Sequence, residues 1–124
     1  MQDLIALLAT ILLYANSVWD LCCAASILLN IPPLNSIHTS LWKEEGERNN
    51  RNPTADRLMA YLILVWGGMR FAGAAGKTEW ACVSFLIEGA VFASEVLLFG
   101  TMHAGQGMAV SLSSFALAAC FWAL

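Results

Sequence analysis

The sequence predicts an all-α fold: a four-helix transmembrane bundle with a short interfacial helix in its first loop. Three observations carry this. Of 124 residues, 59% are hydrophobic and only 12% charged, where ordinary soluble domains carry about 25% charged residues. The apolar runs come in lengths of about 20 residues, the length needed to cross a bilayer as a helix. Finally, ionisable residues sit inside those runs, at Asp20, Arg70, Glu88 and Glu95. A soluble helix would instead line up polar residues along one face.

The stretch 57–100 organises the rest. Residues 57–75 and 80–100 are two apolar segments joined by Gly76-Lys77-Thr78-Glu79, a connection short enough to force antiparallel neighbours. A charged side chain in lipid costs about 2.5–3.5 kcal/mol even on the lenient insertion scale, so such groups face protein and pair. Folding the hairpin about its turn brings Arg57 to the level of Glu95. Arg70 lies nearer the turn than Glu88, and its long stem covers part of that gap. With the first helix packed antiparallel, Asp20 joins Trp66 and Glu88 at similar depth. The expected structural network is therefore Asp20, Arg57, Arg70, Glu88 and Glu95, with Arg70 bridging Asp20 or Glu88 and Arg57 facing Glu95.

The first apolar run is 4–29. It opens on Met1-Gln2-Asp3, with no lysine or arginine, and is too long for the apolar core of a signal peptide, so it reads as a retained helix. Asn16, Ser17 and Ser94 are the expected interhelical polar contacts. Ile31-Pro32-Pro33 ends the first helix, because proline lacks a backbone donor and clashes with the preceding turn. Leu34, Ile37, Leu41 and Trp42 then recur at helical spacing, which suits a short helix in the membrane interface or against a partner; these four are the partner-binding candidates. Residues 43–52 form a polar loop, and Asn52-Pro53-Thr54 is a helix start with Thr54 as the candidate cap. The last run, 107–124, follows a Gly-rich turn and contains Ala109, Ser113, Ala116 and Ala119, small residues that permit close helix packing. The first connection holds Lys43, Arg48 and Arg51, with Arg57 at its edge, against Lys77 alone on the other side, which orients that connection toward the cytoplasm or matrix.

The run Met69-Arg70-Phe71-Ala72-Gly73-Ala74, then Phe92-Ala93-Ser94-Glu95-Val96-Leu97-Leu98-Phe99-Gly100-Thr101 with Gly105 and Gly107 beyond, resembles the ergosterol biosynthetic protein 28 family. Asn16-Ser17 and the entry around Asp56-Arg57 fit the same pattern, while Val91 stands where that family usually has a histidine. The resemblance implies a small four-span membrane protein of the endoplasmic reticulum, a non-catalytic scaffold that holds sterol-synthesis enzymes together.

Several chemistries are excluded by what the chain lacks. With a net charge of -3 and no basic stripe, no nucleic-acid partner is expected. Cys22, Cys23, Cys82 and Cys120 all fall in apolar runs without zinc spacing, and read as small apolar fillers; no metal and no cofactor are expected. His38 and His103 lie in connections, and no nucleophile is paired with a base, so the chain reads as a non-enzyme. The expected partners are membrane lipids and other integral-membrane proteins in a hetero-oligomeric complex. Two rival readings remain. One is an accessory subunit of a respiratory or photosynthetic complex, in the mitochondrial inner membrane or thylakoid. The other is a small four-span proton-coupled transporter using Asp20.

Overall fold

The computed structural model of the chain describes residues 2–32 and 53–123. Among them there are four helices and no strand: α1 (Gln2–Leu29), α2 (Pro53–Ala74), α3 (Thr78–Leu97) and α4 (Ala104–Trp122). The proposed interfacial helix at 34–42 and the loop at 43–52, with Leu34, Ile37, Leu41 and Trp42, lie outside the described residues.

The helix ends follow from local chemistry. α1 stops where Asn30 takes a left-handed backbone, φ 54°. The amide of Ile31 then donates to the Ser26 carbonyl at 2.9 Å and that of Asn30 to Ile27 at 3.3 Å, a Schellman closure. Pro32 follows at once and cannot extend the helix. α2 closes in the same way at Gly76, φ 98°, with Lys77 N–H on the Ala72 carbonyl at 3.1 Å and Gly76 N–H on that of Gly73 at 3.0 Å. Glycine carries no Cβ penalty in that conformation, so the chain reverses within three residues into α3. α2 begins at Pro53, within the expected start Asn52-Pro53-Thr54 and four residues before the apolar span, but Thr54 lies inside the helix instead of capping it. Proline at a first helical position lacks only an N–H that would have had no intrahelical partner anyway.

Consecutive helices are antiparallel neighbours, with α1 on α2 and α3 on α4 in closer contact than α2 on α3. Two apolar clusters fill the interior. Cys23, Ala24, Ala60, Ile63, Trp66, Phe92 and Met102 form one. Leu13, Ala81, Cys82, Phe85, Ala118 and Phe121 form the other, nearer the Gly76 turn. Phe85 and Phe121 stack there with ring centroids 5.7 Å apart.

The bundle's polarity is inverted relative to a soluble domain. Arg70 is 2% exposed and Ser17, Ser84, Ser111 and Ser114 are buried, whereas Leu98 is 77% exposed and Trp122 79%. α1, α3 and α4 are each long and apolar enough to cross a membrane. α2, expected from the sequence as a further span, does not reach that standard. It carries Asp56, Arg57 and Arg70, and three glycines at 67, 68 and 73 dilute its apolar content.

Candidate functional site

The site is an ionic cluster inside the bundle, and it begins with a close approach between two backbones. Gly67 of α2 lies against α1, where a Cβ would meet the Asp20 Cβ at 3.1 Å. Without that Cβ, the Ser17 hydroxyl reaches across to donate to the Gly67 carbonyl at 2.8 Å. Arg70, one turn beyond Gly67 on α2, reaches back along the helix to Asp20, and its Nη1 donates to Asp20 Oδ2 at 2.7 Å. α3 approaches from the other side. Arg70 Nη2 donates to Glu88 Oε2 at 2.6 Å and Nε to Ser84 Oγ at 3.3 Å. The guanidinium lies over the Phe85 ring, 4.1 Å from its centroid, a cation–π contact in a desolvated setting.

α4 completes the chain of contacts. Ser114 Oγ donates to Glu88 Oε2 at 2.8 Å, so one carboxylate oxygen serves both Arg70 and Ser114. A continuous polar path thus joins all four helices: Asp20 on α1, Arg70 on α2, Glu88 on α3, Ser114 on α4. Each of the three guanidinium nitrogens has an acceptor, the condition under which a buried charge is tolerated. The Ser84 hydroxyl accepts from Arg70 and donates to the Ala81 carbonyl at 2.8 Å. The α3–α4 pair repeats the device of the first pair, with the Ser111 hydroxyl on the Gly89 carbonyl at 2.8 Å. We expect Ser111→Ala to lower the unfolding free energy by about 0.5–1.5 kcal/mol, the range for interhelical hydrogen bonds in membrane bundles. A thermal midpoint in detergent, compared with wild type, reads this directly.

The structure separates the other expected residues from this cluster. Arg57 is exposed and donates to Thr54 Oγ1 of its own helix at 3.3 Å, so it does not face Glu95. Thirteen residues at about 100° each put Arg57 on the far side of α2 from Arg70. Glu95 instead accepts a short hydrogen bond from the Thr101 hydroxyl in the turn that follows α3. Asn16 and Ser94 turn back onto their own helices, to the carbonyls of Leu12 at 3.2 Å and Val91 at 2.8 Å. Of the three expected interhelical contacts, Ser17 alone crosses between helices.

Ser84, Phe85, Ser111 and Ser114 complete the site, and none of them is among the interhelical contacts expected from sequence. Their signal was positional: Ser84 precedes Glu88 by one turn, and Ser111 and Ser114 share one face of α4. The indole N–H of Trp66, buried one turn from Arg70 on the same helix, has no hydrogen-bond partner among the described residues. Among those residues no group of three histidine, cysteine or acidic side chains is placed to hold a metal. The four cysteines are free thiols, and Cys82 donates to the Ala118 carbonyl at 3.2 Å. Comparison with protein-family models, with curated proteins and with solved structures finds no match for this chain.

Proposed function

We propose that the protein is a non-catalytic integral-membrane scaffold or accessory subunit, a four-span bundle that tethers other membrane proteins in a complex. The observation that carries this is the inverted polarity: a buried Arg70 with leucines and tryptophan outside. In water such a surface would aggregate, whereas in lipid it is simply solvated. In this reading α2 crosses the membrane too. It lies between α1 and α3, and its one mid-helix charge is matched by Asp20 and Glu88.

The cluster's geometry favours a structural role over chemistry. Arg70 is spent on fixed partners from three helices, and both carboxylates are tied to it. Buried ion pairs of this kind specify geometry more than they add stability. A carrier would use an acid that is free to exchange a proton with a pathway. The residues that resemble the ergosterol scaffold family support the endoplasmic reticulum as location and sterol-synthesis enzymes as partners. Lys43, Arg48 and Arg51 within 33–52, with Arg57 just beyond, support a cytoplasmic position for that connection.

The test is purification of the tagged full chain in mild detergent, with mass spectrometry of what remains bound. Sterol-synthesis enzymes in stoichiometric yield are the expected result. Respiratory or photosynthetic subunits would keep the scaffold reading and move it to another organelle. A homodimer free of other proteins would overturn it in favour of a small carrier.

A further inference from the structure

The interior hydrogen bonds are distributed unevenly between two halves of the molecule. α1 and α2 are joined by Ser17 on the Gly67 carbonyl and by the Asp20–Arg70 pair. α3 and α4 are joined by Ser111 on Gly89, Cys82 on Ala118 and Ser114 on Glu88. Between these halves, the interior side-chain hydrogen bonds among the described residues are donated by Arg70, to Ser84 and to Glu88. Charge divides along the same line. Asp20 and Arg70 make a balanced pair within the first half, and Glu88 comes from the second.

Backbone packing agrees. α2 and α3 contact each other less extensively than either does its own partner. A close approach between them, Gly73 on Ala81, sits beside the Gly76 turn. In lipid, apolar helices gain nothing from burial against one another, so polar links and close packing decide which pairs hold. The turn itself is fastened by the Schellman hydrogen bonds, which leaves the end of the bundle away from Gly76 as the place of greatest freedom.

We propose that the chain is two rigid helical hairpins, α1–α2 and α3–α4, latched together by Arg70, and that releasing the latch lets them part at the end remote from Gly76. This rests on the membrane reading given above. Parting would uncover the inner faces of α2 and α3, including Ile63, Trp66 and Phe92, without breaking either hairpin.

Glu88→Leu combined with Ser84→Ala removes both Arg70 hydrogen bonds to α3, and with them the Ser114–Glu88 bond, while the Phe85 contact, the Ser111 and Cys82 bonds within α3–α4 and the balanced Asp20–Arg70 pair remain. We would reconstitute the full chain in lipid vesicles with its four cysteines replaced, and measure spin-label distances. Leu58 to Leu112 reads across the hairpins; Leu8 to Leu58 and Val83 to Leu112 read within them. These label sites are all exposed in the bundle. The expected result is a single narrow distribution for each pair in the parent. In the double variant a second, longer population appears for the cross-hairpin pair alone. A cross-hairpin distribution as narrow as the parent's overturns the proposal, and so does one that broadens together with both internal pairs. Failure of the parent to stay with the vesicles through alkaline washing counts against the membrane reading instead, so the two failures are distinguishable.

Discussion

Arg70→Leu should reduce the yield of folded protein more than any other single substitution in the bundle. Removing one member of a buried ion pair leaves its partner charged and unmatched, a loss of about 3–5 kcal/mol. Here two carboxylates lose their counter-ion together, Asp20 on α1 and Glu88 on α3. Ser84 loses its donor and Phe85 its cation as well. Apolar bulk at position 70 cannot compensate, because the missing quantity is charge. The readout is the monodisperse fraction on size-exclusion chromatography after detergent extraction, with the thermal midpoint of whatever survives. The triple variant Asp20→Leu/Arg70→Leu/Glu88→Leu should recover much of the loss, since a buried ionic set replaced by apolar residues is often neutral or stabilising. Wild-type yield from Arg70→Leu alone would show that the cluster does not hold the helices together.

Gly73→Ala should be the most damaging single-methyl change. A Cβ at Gly73 would lie 2.6 Å from the Ala81 Cβ and 3.3 Å from the Ala81 nitrogen. No real Cβ contact is that short, and Ala81 offers only backbone and a rigid methyl group, so the helices themselves must shift. Overpacking of this kind costs about 1–3 kcal/mol. The site lies three residues before the turn glycine, where the α2–α3 angle is set. Gly68→Ala is the control on the same helix: nothing lies within 4 Å of a Cβ there. It should be neutral or slightly stabilising through better helix propensity. Thermal midpoints of the two variants, measured side by side, test the pair. Equal midpoints would mean that the α2–α3 contact adjusts freely.

Much of this fold is legible because membrane-type sequences announce themselves in bulk. Run lengths, Pro32 and the Gly76 turn bracket the helices, and the scarcity of charge makes each buried ionisable residue conspicuous. Asp20 and Glu88 group by depth, since rise per residue is constant along a helix, and the long stem of Arg70 reaches their level from nearer the turn. Facing direction is harder to read. Arg57 and Glu95 were matched by depth, but helical phase places Arg57 on the outer side of α2, where Thr54 takes its guanidinium. The serines were harder again. In an apolar run, a serine that bonds its own helix, as Ser94 does with Val91, looks the same as one that crosses to a neighbour, as Ser111 does to Gly89. The difference lies in the glycine opposite, and that pairing becomes visible only once the helices are docked.

The placement of Asp20 and Arg70 within one hairpin bears on how the chain is made. Ribosomal synthesis delivers α1 and α2 before α3 exists. If the bundle lies in a membrane as proposed, an arginine arriving alone in the lipid phase would face a steep insertion cost. Asp20 is already present when Arg70 emerges, so the nascent hairpin neutralises itself without waiting for downstream residues. Glu88 then enters a bilayer in which its counter-ion is already folded and held at the right depth. The order of the three charges along the chain, acid, base, acid, is thus an order of assembly in which each buried group after the first meets a partner already in place.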